Sequence, residues 1–262
     1  MNYKIGILSI VIICVVSLFW YKKQVKYDLV FTCSTYFTKP YRLQQFYTAI
    51  DSISDKNMIK KFIVINEYDK SDTTDYKKLI NARYPYIEFI QKDEIDKGQA
   101  RTLNIILDRI KEYKYHMHWE ETWQATKPFI KKAITIMDNS DISQLQLTND
   151  WLNLDNNRYD KYNGYRIVKL DKLYNSLVNT VETYTKNKNK YGYGIMWPLY
   201  SLRPSINRVS QYAKIGYFSE DVKLWPVVFE YEYAVRWIES GAIKAIIDPY
   251  IAIRQPNHIS TY

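Results

Sequence analysis

From Lys26 onward the chain alternates short β-rich runs with amphipathic helical patterns, which restricts it to βαβ units and a largely parallel sheet covered by helices on both faces. The first run, "YDLVFTCST" (Tyr27–Thr35), reads as a buried strand. A helix opens near Pro40, with Leu43, Phe46, Tyr47, Ile50 and Ile53 at helical spacing. A second strand is expected over Lys61–Asp69, a second helix over Thr74–Ala82 and a third strand over Tyr86–Lys92. Gly98 opens a helix whose Leu103, Ile106, Leu107 and Ile110 face inward, and "YKYHMHWE" (Tyr113–Glu120) is the fourth strand.

Beyond it, Phe129, Ile130, Ala133, Ile134 and Met137 mark one face of a helix, and Ile142–Thr148 a strand. The pattern then loosens: Asn149–Gly164 is polar, Leu170–Val181 is helical in period, and Thr185–Gly194 reads as an exposed loop. A helix over Phe229–Ser240 stops at Gly241, and a last β-like run covers Ala242–Ile253. At 262 residues, 47% of them hydrophobic, the chain can bury one sizeable core, expected in two halves over 27–124 and 125–262, and no internal repeat interrupts it.

The leader is a separate problem. Ile5–Trp20, "IGILSIVIICVVSLFW", carries no charge and is closed by Tyr21 and Lys22-Lys23. It is slightly shorter than a bilayer core asks for, but Tyr3, Trp20 and Tyr21 suit the interface and the lysines can snorkel. A cleaved signal peptide is the rival reading; no small-x-small cleavage pattern is visible, which favours an uncleaved anchor and a single-pass membrane protein. Lys22, Lys23 and Lys26 lean the domain towards the cytoplasm and Lys4 opposes them.

The formal net charge is +9, with four of the lysines in the first 26 residues. The remaining basic residues are interspersed with acids, and no nucleic-acid-binding motif is present, so a nucleic-acid partner is not expected. Cys14 and Cys33 form neither a disulfide framework nor a thiolate metal site.

In open α/β sheets ligands bind at the carboxyl ends of strands, so the polar residues there come first. They are Thr32, Cys33 and Ser34 at the end of the first strand, Glu67 at the end of the second, and Glu120 and Glu121 at the end of the fourth. Any of these singly could be a turn or cap residue. Lys97 and Arg101 bracket the Gly98 helix start, where free N–H groups favour an anion such as a diphosphate. Carboxylates at a neighbouring strand end could hold Mg²⁺ or Mn²⁺. His116 and His118 share one strand face while Met117 and Trp119 share the other; with no third His or Cys ligand at a matching spacing, they read as structural histidines.

Taken in order, these motifs resemble the nucleotide-sugar-dependent glycosyltransferases of the GT-A fold, family 2 type, from Tyr27 to about His258. "KGQARTLNIIL" (Lys97–Leu107) resembles the helix facing the nucleotide diphosphate, and "YHMHWEETW" (Tyr115–Trp123) the strand carrying the acidic metal-binding motif. "SLRPSINRVSQYAKIGYFSE" (Ser201–Glu220) is similar to the acceptor-side segment. "FEYEYAVRWIESG" (Phe229–Gly241) is similar to the catalytic helix, placing Glu230 at the base and Glu232 at the second acid.

The resemblance implies a Rossmann-like α/β domain over residues 27–262. It implies a UDP- or GDP-sugar donor, a glycan or protein acceptor, and a divalent cation held by Glu120, Glu121 and His258. Thr32, Cys33, Ser34 and Glu67 would meet the nucleoside, and Lys97 and Arg101 the diphosphate. An inverting transfer needs a carboxylate to take the acceptor proton, which Glu230 would do; Glu220 or Asp221 is the alternative base. Two departures stand out: Thr122 occupies the place of an acid in the metal motif, and Glu67 that of an aspartate. A catalytically silent glycan- or nucleotide-binding descendant is therefore the first rival. A nucleotidyltransferase is the second, but "TCSTYFTKPYR" lacks the glycine-rich loop that reading expects.

Overall fold

The computed structural model describes residues 26–38, 40–148, 159–168, 200–221 and 228–256. The leader, His258 and the helix expected over Leu170–Val181 lie outside the described residues. Among the described residues, no helix is long and apolar enough to cross a membrane.

Strands β1 (Tyr27–Thr35), β2 (Ile59–Asn66), β3 (Ile87–Gln91) and β4 (Tyr115–Glu120) alternate with helices α1 (Pro40–Ser52), α2 (Tyr76–Arg83) and α3 (Gln99–Ile110). The short strand β5 (Trp123–Ala125) and helix α4 (Ile130–Asp138) lead to β6 (Ile142–Gln146). A hairpin, β7 (Tyr159–Tyr162) and β8 (Tyr165–Val168), turns at Asn163-Gly164. Then follow β9 (Ser205–Arg208), α5 (Val209–Ile215), α6 (Val228–Glu239), β10 (Ile243–Ile247) and β11 (Ala252–Arg254).

Nine strands form one sheet in the order β3-β2-β1-β4-β9-β6-β10-β8-β7, and β11 pairs with β5 in a second, two-stranded sheet. The β3-β2-β1-β4 half is wholly parallel, as the βαβ alternation requires. The other half is not: β9 runs antiparallel between β4 and β6, and β8 antiparallel to β10, so the expectation of a largely parallel sheet holds only for the amino-terminal half. The run expected over Ala242–Ile253 is also two strands, broken at Asp248-Pro249-Tyr250.

Strand alternation sorts the core into two faces. Leu29, Phe31, Cys33, Met117 and Trp119 pack with Phe46 and Ile50 of α1, with Ile53 just beyond it, and with Ile130, Ile134 and Met137 of α4. Val30, Ile63 and Ile65 pack with Leu103, Ile106 and Leu107 of α3 and with Phe229, Tyr233 and Trp237 of α6. Asp55 fixes α4 by accepting from the backbone N–H of Phe129 (2.8 Å) and Ile130 (2.7 Å). Gly241, at φ 75°, closes α6 in a conformation that other residues rarely adopt.

The face under α5 and α6 also holds a buried polar layer. Thr32 Oγ1 meets His116 Nε2 at 2.6 Å, and His116 Nδ1 lies 3.1 Å from the Tyr212 hydroxyl. Gln144 donates to Ser201 O and to Asn207 Oδ1, both at 2.9 Å. Burial pushes His116 well below the ordinary histidine range and His118 down to about 4, so both rings are neutral at pH 7. They are strand-face histidines, as their spacing suggests.

Helix α6 is seated on the sheet by Trp237, which is fully buried with ring centroids of Tyr200 and Tyr212 at 4.8 and 5.8 Å. Trp237→Ala is expected to cost about 3–5 kcal/mol in denaturant unfolding, because a large cavity opens beneath the helix. A loss below about 1 kcal/mol would show that α6 does not depend on this contact.

Candidate active site

The carboxyl edges of β1, β2 and β4 gather most of the residues singled out in the sequence. Ser34 lies directly beside Glu120 in the β1–β4 register, and its hydroxyl is buried without a hydrogen-bond partner among the described residues. Thr32 and Cys33 do not reach this edge. Thr32 is buried against His116, and Cys33 is buried in the opposite face, where burial raises its thiol well above the ordinary range. Of the β1 residues expected at a nucleoside, Ser34 alone is placed at the strand end.

Glu67 has a different setting from the one expected. Its carboxylate accepts from the buried Lys92 ammonium at 2.8 Å, from the Thr102 hydroxyl, and from the Gly98 N–H at 3.3 Å. It therefore closes the amino terminus of α3, where the positive end of the helix dipole favours a carboxylate. Burial lowers the Lys92 ammonium and Glu67 pulls it back up. Gly98 makes the sharp entry into α3 at φ 109°. Arg101 pairs with Asp96 at 2.8 Å and with Glu220 at 3.6 Å, and Lys97 is exposed on the side facing Asp69. Both basic residues thus line the α3 entry, but Glu67 already occupies the Gly98 N–H.

At the end of β4, each polar side chain is held by a donor. Glu121 is buried and its Oε1 accepts from Arg42 Nη1 at 2.5 Å. Burial pushes this carboxyl up, Arg42 draws it back and Glu120 adds to the push. Thr122 Oγ1 accepts from Arg254 Nη1 at 2.9 Å. Glu120 Oε2 accepts from the Trp123 indole N–H at 3.0 Å. Burial raises Glu120, opposed by Arg254, the indole, Arg203 and Arg42. The Gln255 side chain donates to Gln45 O and Glu121 O, both at 2.9 Å, binding β11 to the turn after β4.

A hard divalent cation takes several carboxylate or carbonyl oxygens. Here Glu121 is neutralised by Arg42, Thr122 is engaged by Arg254, and among the described residues no group of three His, Cys, Asp or Glu side chains is placed to hold a metal. The expected cation site at Glu120 and Glu121 does not fit these contacts. The reason is long-range pairing with guanidinium groups, which local spacing does not reveal.

Glu230 sits in the first turn of α6, and its Oε1 accepts from the Leu202 N–H at 2.9 Å. Burial raises its pKa to about 7, with the Leu202 N–H pulling it down, Glu120 pushing it up, and Arg203 and Lys244 pulling it down. Glu120 and Glu230 therefore belong to one electrostatic cluster. Glu232 instead forms an ion pair with Arg236 (2.6 Å), whose guanidinium also donates to Ile215 O and Tyr217 O. Glu220 lies at α3, accepting from Asn104 at 2.7 Å. Local spacing missed Arg42, Arg203 and Arg254; their only signal was the need of buried acids for cations.

Neither a protein-family model nor a curated protein sequence matches the chain. Solved structures do resemble it. A mannosyltransferase, PcManGT from Pyrobaculum calidifontis in complex with GDP-Man and Mn²⁺, matches with a TM-score of 0.56 at 11% identity, over 89% of this chain and 58% of that one. S. aureus TarS 1–349 in complex with UDP-GlcNAc matches at 0.55 and 13% identity, over 89% of this chain and 61% of that one. GalNAc-T7 with UDP, GalNAc and Mn²⁺ matches at 0.53 and 8% identity, over 86% of this chain and 43% of that one. The chain thus spans about 60% or less of the length of these structures. The likeness shows the fold: the chain has the GT-A fold.

The Arg42–Glu121 pair is open to a direct test. Arg42→Met leaves a buried carboxylate uncompensated and is expected to cost about 3–5 kcal/mol in urea unfolding. The double variant Arg42→Met/Glu121→Leu is expected to recover most of that loss. Equal losses in the single and double variants would mean that the pair is not coupled.

Proposed function

We propose that the chain is a glycosyltransferase, family 2-like, that moves a sugar from a UDP- or GDP-sugar to a hydroxyl of a glycan or protein acceptor with inversion. The observation that carries this reading is Glu230: a carboxylate held by the Leu202 N–H in a helix's first turn, beside Glu120, with its pKa lifted to about 7. A general base is most effective with a pKa near the working pH. The acceptor oxygen would form a bond to the anomeric carbon as the bond to the donor's diphosphate oxygen breaks, and Glu230 would take the hydroxyl proton.

The remaining assignments rest on the sequence resemblance. Ser34 would face the nucleotide at the β1 edge, with Lys97 and Arg101 at the α3 entry on its diphosphate side. Residues 27–124 would form the donor half and 125–262 the acceptor half, and the Ile5–Trp20 leader would hold the enzyme to a membrane as a single-pass anchor. Support for donor use comes from the fold shared with structures that hold GDP-Man, UDP-GlcNAc or UDP. A silent binding descendant draws its support from the engagement of Glu121 and Thr122 by arginines, and turnover separates the two readings.

A panel of UDP and GDP sugars, read by donor hydrolysis and by transfer, is expected to give turnover with the full-length chain. Glu230→Gln is expected to lower kcat about 100- to 10,000-fold and to leave donor affinity in calorimetry unchanged. Because the base acts only when unprotonated, kcat/KM should climb as pH rises and reach half its plateau near pH 7. Unchanged turnover in Glu230→Gln removes Glu230 as base, and donor binding without turnover in the native chain favours the silent descendant.

A further inference from the structure

Resting on the glycosyl-transfer reading, we propose that the positive charge a divalent cation would bring to the donor's diphosphate is supplied instead by Arg254 and Arg203, in addition to Lys97 and Arg101. Three observations place these guanidinium groups where a cation is expected. First, β11 pairs antiparallel with β5 so that Arg254 is opposite Trp123, and Arg254 Nη1 donates to Thr122 Oγ1 at 2.9 Å. Thr122 is the residue that stands where the metal motif would have an acid. Second, the Trp123 ring gathers both arginines: the Cζ of Arg254 lies 4.4 Å from its centroid and that of Arg203 5.9 Å. The same indole donates its N–H to Glu120 at 3.0 Å. Third, Arg203 follows Leu202, whose N–H holds Glu230, so it adjoins the proposed base as well as the β4 end.

The chemistry suits this substitution. A guanidinium is permanently charged, presents a planar fork of N–H groups that matches phosphate oxygens, and stacks on aromatic faces. When the anomeric C–O bond breaks, its electron pair remains on the diphosphate oxygen, and two fixed guanidinium groups can stabilise that charge with no further reactant. Glu120 then has a different task from metal ligation. Its charge lies close enough to Arg254 and Arg203 for both to draw its pKa down, so it serves as their counter-charge at the strand end, where the Trp123 indole holds it. Glu121, bound to Arg42, takes no part in donor contact.

The test uses the full-length chain and UDP and GDP as probes, titrated by calorimetry in EDTA and again in excess Mn²⁺ or Mg²⁺. One of the two nucleotides is expected to bind in EDTA, with an affinity that metal changes less than about threefold. Arg254→Ala and Arg203→Ala are each expected to weaken that binding about 10- to 100-fold, as loss of a charge-assisted contact would. Arg254→Lys should fall between, keeping the charge and losing the fork, and unchanged affinity for uridine or guanosine reports that the variants are folded. A tenfold or greater tightening by Mn²⁺, with Arg254→Ala binding as the native chain does, overturns the proposal and leaves the donor reading standing. Failure of both nucleotides to bind under either condition removes the donor reading and this proposal together.

Discussion

A carboxylate withdrawn from water has to meet a cation, and in this chain Glu121 meets Arg42 from a helix 79 positions earlier. The pair sits where β4 leaves the sheet. Around it, Gln255 ties the β11 end to the same turn, Arg254 holds Thr122, and Trp123 holds Glu120. Helix α1, strand β4 and the small β5–β11 sheet are thereby fixed to one another at a single point. Since β4 also joins the parallel half of the main sheet to the half containing antiparallel β9, the position of both halves is referred to this junction.

The electrostatics of the candidate site grow from the same junction. Burial raises the proton affinity of both Glu120 and Glu230, one on a strand and one on a helix, and the charge of Glu120 raises that of Glu230 further. Arg203 and Arg254 offset that repulsion. Beneath α6, the Thr32–His116–Tyr212 chain and the Gln144–Asn207 contact satisfy polar atoms that an apolar layer would leave unmatched. Such a layer accepts α6 in few positions and so fixes where Glu230 lies.

Much of the fold could be read from local periodicity. The bounds of β1 match the sequence run, and α3, α4 and α6 fall where apolar spacing puts them, because short-range patterns encode which face is buried. The hairpin through Asn163-Gly164 carried a recognisable turn signal, but its strands are four residues each and β7 is mostly polar and exposed, so no periodicity marked it. Strand β9 is only four residues long and draws its place from two neighbours distant in sequence. In the site, Glu120 and Glu230 were legible as acids at a strand end and a helix start. The setting of Glu67 was not, since its partners Lys92, Gly98 and Thr102 are 25 to 35 positions away.

The strict division of β4 into two faces has a consequence for how such a chain can vary through descent. His116 and His118 enter the polar layer while Met117 and Trp119 enter the apolar one, so gaining or losing one residue within the strand would exchange every member of the two sets. Point replacement can alter either face separately, but length change cannot. Insertions and deletions are therefore confined to the turns, and the spacing between the strand's histidines and its terminal acids is inherited as one unit.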